Sequence, residues 1–320
     1  MPLFSIGVPG RNEEKTITAC ISALLADYQD IEIRVVDGCS TDSTVEKVQQ
    51  LAAKHSNIRL LRNNSKTTPV GMNIGIKAAA GKYIMLFNAH SIAGMNYIRN
   101  CLDGIEKHSA DNVGGTILSL SGNKTLVSAA IAKLQTCPFA VGNSKFRTGV
   151  RKAVEADTVA YGFYRREVFE RIGYFNENLR RNQDIEFNIR LRRAGGKIVL
   201  LPDVDAIYLG DSDLASYLRK NYLNGLWVIY SLKFAKAAFS LRHVIPLAFV
   251  LWLAAGVFLP LTLWSLPLAA YFALSFVYSA KISTNLKEAC LIFCLFPLLH
   301  ITYGLGSVVG FFRLLKGGRH

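Results

Sequence analysis

The chain has 320 residues, of which 51% are hydrophobic, and its formal net charge at pH 7 is +14. This length suits one catalytic domain of about 200 residues followed by an accessory region. The charge does not indicate nucleic-acid binding, because its excess lies in the apolar last third, where residues 214–320 hold ten basic side chains and one acid, Glu288. Basic residues that flank apolar segments attract anionic lipid headgroups. We therefore exclude nucleic acid as a partner and expect a membrane surface.

The cellular compartment can also be predicted. The N-terminus has no positively charged segment that leads into a long apolar run, so no secretory signal is predicted and the first domain is expected in the cytoplasm. The six cysteines show no CxxC spacing of the kind that binds metal, and they would be reduced there.

Strand and helix patterns alternate along the first two thirds of the chain. The predicted strands are residues 4–8, 31–36, 58–62, 83–87, 113–118, 159–164 and 197–201. The predicted helices are residues 16–25, 43–55, 69–79, 126–134, 166–172 and 183–194. This alternation with short loops predicts an α/β fold, in which helices cover both faces of a parallel sheet.

The last third of the chain is apolar. Residues 214–242 mix aromatic, aliphatic and basic side chains, which predicts one or two amphipathic helices in the membrane interface. An amphipathic helix that covers the sheet would show the same pattern. Residues 244–280 and 289–312 contain no Asp, Glu, Lys or Arg, and a membrane span needs about 20 apolar residues. The first run is therefore expected to hold two short helices that turn near residues 264–267, and the second run to hold one.

Three spans from a cytoplasmic N-terminus would place Arg313, Lys316 and Arg319 outside, against the positive-inside tendency. One of the three helices is therefore expected to be re-entrant or interfacial. The predicted division is a catalytic domain over residues 1–213, amphipathic interfacial helices over residues 214–243, and a membrane domain with two to three hydrophobic helices over residues 244–320.

Two of the predicted strands end in polar turns that carry acids. The first strand runs into Pro9-Gly-Arg-Asn-Glu-Glu14, and the second runs into Asp37-Gly-Cys-Ser-Thr-Asp-Ser-Thr44. Strands of an open α/β sheet carry their C-terminal ends to a ligand crevice, so two such turns in succession predict a nucleotide-sugar site. An alternative for either turn alone is that its acids only cap the following helix, where Ser43 and Glu46 make a capping box.

These two segments resemble the start of the family 2 inverting glycosyltransferases, and the resemblance extends to about residue 210. It implies a GT-A catalytic domain with a Rossmann-like, mostly parallel sheet, followed by interfacial and transmembrane helices. In this family the aspartate after the second strand, here Asp37, contacts the base of a UDP-type donor. The positions that the resemblance assigns to the nucleotide sugar are Pro9, Arg11, Asn12, Glu13, Asp37, Lys66, Gly71, Asn73 and Asn88.

The helix after the third strand is part of this assignment. Pro69 stands in its first turn, and Gly71, Asn73 and Gly75 follow. A helix N-terminus of this kind suits a phosphate or a ribose. Close packing of the helix at Gly71 and Gly75 explains the same glycines without a ligand.

After the strand equivalent to residues 83–87, the family carries an acidic Asp-x-Asp motif, whose carboxylates share Mg²⁺ or Mn²⁺ with the donor diphosphate. This chain has Asn88-Ala89-His90. It is similar here to the succinoglycan-type exopolysaccharide glycosyltransferases, which end the strand with Asp-Ala-His, so the resemblance implies His90 and Asn88 as metal ligands. The amide of Asn88 brings no charge, which weakens Mg²⁺ and favours Mn²⁺, a better partner for imidazole.

For the catalytic base, the family uses an acid at the start of a late helix, after an acceptor-side segment that residues 160–177 match. The equivalent pair here is Gln183-Asp184. The resemblance implies that Asp184 takes the proton of the acceptor hydroxyl as that oxygen attacks the anomeric carbon. An acid in the first turn also stabilises the helix through its dipole, and the two roles can coexist.

Together these features predict a membrane-anchored inverting glycosyltransferase. It would move a sugar from a nucleotide-diphosphate donor, UDP-linked by the resemblance, to a lipid-linked polyprenyl saccharide in polysaccharide or glycan assembly. It would be a multi-pass protein of the cell membrane with its catalytic domain in the cytoplasm. Two alternatives stay open: direct transfer to polyprenyl phosphate, and a catalytically weak scaffold that binds a nucleotide or glycan, suggested by the missing charges at Asn88 and Gln183. No oligomeric state is predicted.

Overall fold

The computed structural model describes residues 3–210, 213–234 and 241–316. Two compact units divide the chain. The first unit comprises Met1–Leu118 and Gly149–Tyr208, and the second comprises Ser119–Thr148 and Leu209–His320. The first unit is built around a β-sheet and the second around α-helices.

The first half of the sheet is parallel. Strands β1 (Phe4–Gly10), β2 (Ile31–Asp37), β3 (Ile58–Arg62) and β4 (Tyr83–Leu86) pair in the order β3-β2-β1-β4. The helices that connect them are α1 (Ile17–Asp27), α2 (Thr44–Lys54) and α3 (Thr68–Lys77). β1 and β2 are mostly apolar and mostly buried, which is typical of strands covered on both faces. Because the four strands run in the same direction, the loops that follow them meet at one edge of the sheet.

The second half of the sheet combines antiparallel and parallel pairs. β8 (Ala160–Arg165) pairs with β4, and the strands beyond it are β6 (Asn112–Leu120), β9 (Ile198–Leu209) and β5 (Ser91–Ala93), with β7 (Val154–Glu155) also paired to β9. The helices of this half are α4 (Tyr97–Lys107), α8 (Glu167–Ile172) and α9 (Gln183–Arg193). Phe187 of α9 stacks on Phe175, with ring centroids 4.4 Å apart, and also contacts Phe169 and Tyr164. This aromatic cluster holds the first half of α9 against α8 and β8.

The predicted alternation of strands and helices is confirmed, since each predicted element of residues 4–201 overlaps an observed one. The prediction did not include β5 and α4. β5 has three residues, too few for a periodic pattern, and it is defined by pairing Ile92 with Ile207 of β9. α4 begins after Asn96, whose side chain makes no capping hydrogen bond, so the usual signal for a helix start is weak there.

The second unit contains a helical insertion and the C-terminal helices. The insertion comprises α5 (Leu126–Leu134), α6 (Pro138–Val141) and α7 (Lys145–Thr148), and the C-terminal helices are α10 (Leu214–Tyr230), α11 (Ile245–Ala255), α12 (Leu261–Ile282) and α13 (Leu286–Leu315). They share a buried cluster formed by Ala130, Ile131, Leu134, Cys137, Tyr217, Ile292, Leu295, Phe296 and Leu299. Residues 119–148 therefore differ from the predicted division, which placed them in a catalytic domain of residues 1–213. The reason is that α5 buries its apolar face against helices far along the chain.

Two of the described helices, α12 and α13, are long and apolar enough to cross a membrane, judged by length and composition. Within the most apolar 18 residues of each helix, 6% are buried in α12 and 39% in α13. The predicted turn near residues 264–267 is wrong, because α12 continues through them and the chain turns between Gly256 and Pro260. The indoles of Trp252 and Trp264 each donate to the backbone oxygen of the other residue, at 3.3 and 3.2 Å, and these bonds close the turn.

α10 packs along α13, and small residues allow their close approach. A side chain at Gly306 would collide with the backbone oxygen of Tyr222. Asn221 donates to the Leu299 oxygen at 2.5 Å, and Ser307 donates to the Gly225 oxygen at 3.2 Å. The segment predicted to lie in the membrane interface, residues 214–243, thus begins with a helix packed on α13. Residues 235–240 of that prediction lie outside the described residues.

A buried ion pair joins the insertion to α13. Glu288, the one acid among residues 214–320, is 2% exposed, and its Oε2 accepts from the Lys133 ammonium at 2.7 Å. The same oxygen accepts from the amide and the hydroxyl of Thr284, at 2.7 and 2.8 Å. Because the Glu288 carboxylate is buried, its negative charge has to be stabilised by these donors.

We expect Lys133→Met to lower the free energy of unfolding by about 3–5 kcal/mol, because it leaves a buried carboxylate without its counter-charge. The double variant Lys133→Met/Glu288→Gln should recover most of the loss. Lys287→Met, at an exposed lysine next to Glu288, is the control and should change little. Chemical unfolding of the purified, detergent-solubilised protein measures all three, and equal losses in the two lysine variants would contradict the assignment.

Candidate active site

The loops after β1 and β2 are joined through Asn12. Its side-chain oxygen accepts from the backbone amide of Thr41 at 2.8 Å, and its backbone amide donates to the Ser40 hydroxyl at 2.9 Å. Its backbone is left-handed, with φ of 58°, a conformation that asparagine adopts more readily than most residues. The two acid-bearing turns therefore form one continuous surface at the edge of the sheet.

Asp37 ends β2, opposite Gly10 at the end of β1. Its side chain is largely buried and accepts from the Ser40 amide at 3.1 Å and from the Ser40 hydroxyl at 2.5 Å. These bonds fold the loop back on the carboxylate. Asp37 is thus held within its own loop and does not cap α2.

A different acid stabilises the start of α2. Asp42 accepts from the amide of Thr44, the first residue of α2, at 3.0 Å, and also from the Glu14 amide at 3.2 Å. The predicted capping box of Ser43 and Glu46 is wrong, since the Ser43 side chain makes no capping hydrogen bond. Asp42 therefore connects the start of α2 with the loop after β1.

Glu13 connects the loop after β1 to the end of β4. Its Oε1 lies 3.0 Å from Nδ1 of His90, and its Oε2 accepts from the Thr16 hydroxyl at 3.2 Å. The His90 ring stands edge-on to Tyr208, with centroids 5.4 Å apart. Two residues that were predicted for different ligands, Glu13 for the nucleotide and His90 for a metal, are therefore in direct contact.

Asn88 follows β4 and is half-buried. Its backbone oxygen accepts from the Cys20 thiol at 3.5 Å and from the Ser91 amide at 3.1 Å. Burial, and then the charge of Glu13, raise the pKa of the Cys20 thiol to about 12, so it stays a neutral donor. The side-chain amide of Asn88 makes no hydrogen bond to a described residue, which leaves its oxygen available to a ligand.

The predicted metal ligands after β4 are the Asn88 side-chain oxygen and Nε2 of His90, which bring no negative charge. A carboxylate that binds the other ring nitrogen, as Glu13 does, is the usual partner of a metal-binding imidazole. Over residues 3–210, 213–234 and 241–316, no group of three or more His, Cys, Asp or Glu side chains could hold a metal ion. The residues fit a cation that takes most of its ligands from a diphosphate, and the assignment stays a prediction.

α3 lies against the ends of β1 and β2. A Cβ built on Gly71 would lie 3.2 Å from Cβ of Pro9 and 3.2 Å from the side-chain nitrogen of Asn63. A Cβ on Gly75 would lie 3.5 Å from Cα of Gly7. Close helix packing therefore accounts for Gly71, whereas a Cβ at Gly75 would make only ordinary contacts, and the packing places Gly71 beside Pro9 at the predicted nucleotide site.

The two predicted cations of the donor site, Arg11 and Lys66, are exposed at this edge. Arg11 lies next to Gly38 in the loop after β2, and the Lys66 amide donates to the Asn63 oxygen at 3.3 Å in the loop after β3. Both residues stand in loops that follow parallel strands.

Asn73 differs from the other predicted nucleotide residues. It is 3% exposed, and its side chain forms hydrogen bonds with residues 175 and 177. The structure therefore places it between α3 and the segment that leads to α9, rather than at the exposed edge with Asn12.

Asp184 is an exposed residue in the first turn of α9. Burial, and then the charge of Asp184, raise the pKa of the Tyr164 hydroxyl on β8, so the two groups lie within electrostatic reach. Glu186 shares the first turn, and both acids suit the helix dipole. The aromatic cluster around Phe187, three residues further on, fixes this turn in place.

A family model described as Glycosyl transferase family 2 matches residues 5–173, more than half of the chain. The chain belongs to this family. It is therefore a glycosyltransferase, as the strand-end turns predicted.

Similar proteins extend the comparison to the whole length. The chain is 26% identical, over 99% of its length and 98% of the relative's, to a dolichyl N-acetyl-α-D-glucosaminyl phosphate 3-β-D-2,3-diacetamido-2,3-dideoxy-β-D-glucuronosyltransferase of Methanococcus voltae. It is also 26% identical to the succinoglycan biosynthesis protein ExoA of Rhizobium meliloti, over 81% of this chain and 78% of that one.

A solved structure supports the fold. The mannosyltransferase PcManGT of Pyrobaculum calidifontis, in complex with GDP-Man and Mn²⁺, aligns with a TM-score of 0.60 and 15% identity, over 99% of this chain and 88% of that one. The predicted GT-A α/β fold is confirmed.

Several residues that contact the predicted site residues were not themselves predicted. Asn63 comes directly after β3, and its amide donates to the Asp37 oxygen at 2.8 Å, so a polar residue directly after a strand was an available signal. Ser40 stands three residues after Asp37, near enough along the chain for its amide and hydroxyl to bind that carboxylate. Glu177 had no local signal, because its partner Asn73 is 104 positions away.

We expect Asn12→Ala to raise the dissociation constant of UDP or GDP about fivefold, equivalent to about 1 kcal/mol of lost hydrogen bonding between the two loops. Asn96→Ala is a matched control, since Asn96 has the same left-handed backbone, with φ of 58°, but precedes α4. Calorimetric titration of both variants separates the loop contact from backbone strain. Equal changes in the two variants would show that strain alone acts.

Proposed function

We propose that this glycosyltransferase is membrane-anchored and inverting, and that it transfers a sugar from a nucleotide-diphosphate donor to a lipid-linked saccharide. The observation that carries the proposal is the relative from Methanococcus voltae, which matches the chain from end to end and whose name specifies a dolichyl phosphate-linked sugar as acceptor. An acceptor on a lipid requires an enzyme that works at a bilayer. The similarity to a succinoglycan biosynthesis protein supports a role in polysaccharide or glycan assembly.

Exposed apolar side chains of the second unit support membrane anchoring. Val257 and Phe258 are 84% and 87% exposed at the turn before α12, and Leu261 is 73% exposed at its start. A continuous apolar surface of this kind is typical of a membrane contact. With α12 and α13 as the anchor, the basic residues 313 and 316 at the end of α13 would meet anionic headgroups. We place the first unit in the cytoplasm, where nucleotide sugars are supplied.

In the proposed reaction, the loops after β1 and β2 bind the nucleotide, and Asp37 contacts its nucleobase. Lys66 would contact the phosphates as a compact point charge, and Arg11 would contact them through its planar guanidinium. Asp184 accepts the proton of the acceptor hydroxyl while that oxygen attacks the anomeric carbon, and the nucleotide diphosphate leaves from the opposite side. A single displacement of this kind inverts the anomeric configuration.

A divalent cation, Mn²⁺ before Mg²⁺, would neutralise the charge of the departing diphosphate when bound. Asn88 and His90 are the residues proposed to hold it, because an imidazole and an amide oxygen are neutral ligands that suit Mn²⁺. Glu13 would orient His90 through Nδ1. The Pyrobaculum mannosyltransferase, which shares the fold, is itself in complex with Mn²⁺.

We expect Asp184→Asn to lower the rate of sugar transfer about 10²- to 10⁴-fold, the range for a lost general base, while the dissociation constant of the nucleotide stays within a factor of about two. Glu186→Gln is the matched control, because Glu186 shares the first turn of α9 but binds Arg190 at 3.0 Å. The assay measures nucleotide diphosphate release from UDP- and GDP-sugars with a polyprenyl diphosphate-linked saccharide, and NMR gives the anomeric configuration of the product.

The same assay separates the alternatives. If polyprenyl phosphate accepts the sugar and a monophosphate-linked product forms, then polyprenyl phosphate is the acceptor in place of the lipid-linked saccharide. Nucleotide binding without release of nucleotide diphosphate from any donor would favour the scaffold. The neutral residues Asn88 and Gln183 suggest this alternative. Retention of the anomeric configuration would contradict the single displacement.

We expect Asn88→Asp to tighten Mn²⁺ and Mg²⁺ binding without abolishing turnover, because a carboxylate adds charge to a site that has neutral ligands. Asn64→Asp is the control, since it adds the same charge in the exposed loop after β3. Metal titration in the presence of UDP measures both variants. Unchanged metal affinity in Asn88→Asp would remove this residue from the ligand set.

A further inference from the structure

We propose that Asn73 is a positioning residue that ties the donor-side helix α3 to the segment carrying Asp184. The inference rests on the proposed role of Asp184 as the base. It replaces the expectation that Asn73 contacts the nucleotide.

The carboxamide of Asn73 is fully used by this contact. Its nitrogen donates to the Phe175 oxygen at 2.9 Å, and its oxygen accepts from the Phe175 amide at 3.0 Å. The pair closes a ring like that between two β-strands. The nitrogen also donates to Oε1 of Glu177 at 2.8 Å. With 3% of its surface exposed, Asn73 has no face left for a nucleotide.

Phe175 carries the contact onward to α9. Its ring stacks on Phe187 with centroids 4.4 Å apart and an interplanar angle of 24°. Phe187 lies three residues after Asp184 on α9, so both belong to one face of the first turns. The backbone of Phe175 is thus fixed by Asn73, and its ring by the helix that bears the base.

The other end of the link is the nucleotide site. Gly71 precedes Asn73 by two residues on α3 and lies beside Pro9 at the end of β1. α3 also packs against β1 at Gly75, where the helix approaches Gly7 closely. One rigid helix therefore contacts the proposed donor site at Gly71 and the base-bearing segment at Asn73.

Asparagine is suited to this position because it both donates and accepts. Aspartate would lose the two donated bonds and would face the carboxylate of Glu177. A shift of about 1 Å in a catalytic group can cost about 10²-fold in rate. Loss of the link should therefore lower the turnover rate rather than the affinity for the donor nucleotide.

A double-mutant cycle between Asn73→Ala and Asp184→Asn tests the proposal. Asn73→Ala alone should lower kcat at least about tenfold, with the UDP or GDP dissociation constant within a factor of about three. In the Asp184→Asn background it should lower the residual rate by less than about twofold, because two residues that act through one another are not additive. Independent, multiplied losses would overturn the proposal, as would a nucleotide affinity that falls tenfold while kcat is kept.

Asn178→Ala is the matched control, since Asn178 is an exposed asparagine of the same segment that bonds only to Asn176. Glu177→Ala removes one of the three bonds from an exposed position and keeps the test open if Asn73→Ala does not fold. It should lower kcat less than Asn73→Ala, in the same non-additive manner. An unchanged kcat in both Asn73→Ala and Glu177→Ala would overturn the proposal.

A measurement without turnover distinguishes this inference from the proposed function. The Phe175 amide is bonded to Asn73, so Asn73→Ala should speed hydrogen exchange at that amide and in residues 175–184, and Asn178→Ala should not. Faster exchange supports the positioning role even if Asp184 is not the base. Unchanged exchange would overturn it even if Asp184→Asn is inactive.

Discussion

The common direction of the first four strands is the constraint on which the rest of the catalytic unit depends. It brings the loops after β1, β2, β3 and β4 to one edge, although their residues are distributed over positions 9 to 90. The amides of these loops must then be satisfied, and they donate to side chains of the neighbouring loop, as the Thr41 amide does to Asn12 and the Glu14 amide to Asp42. The polar residues at this edge are therefore fixed by each other before any ligand is present.

The proposed base, Asp184, is held by different contacts. It follows β8 and α8, and because β8 runs antiparallel to its neighbours β4 and β6, no strand end of the parallel layer directs Asp184. Its position depends on aromatic packing around Phe187 and on the two-way hydrogen bonding between Asn73 and Phe175. The donor and acceptor sides of the proposed displacement thus have separate supports, and α3 is the element that contacts both.

The second unit is organised by apolar packing around a few polar contacts. The insertion of residues 119–148 covers part of α13, and the Lys133–Glu288 pair is buried between them. α12 leaves almost all of its apolar residues uncovered. A helix of this composition is stable in contact with lipid, whereas in water the same surface would promote association. The charge asymmetry of the chain has its physical meaning here, since the basic residues border this apolar surface.

The sequence by itself determined the alternation of strands and helices, the polar turns that begin at Asp37 and Asn88, and the family. Strand and helix periods and turn residues act over a few neighbouring positions, so the local sequence specifies them. The tertiary structure decided what the side chains at those places contact. Glu13 and His90 meet across 77 positions, Asn73 and Phe175 across 102, and Lys133 and Glu288 across 155. No local pattern specifies such pairs, since each depends on how distant elements pack. For the same reason, the burial of Asn73 against Phe175 and the packing of residues 119–148 with the C-terminal helices were not predicted.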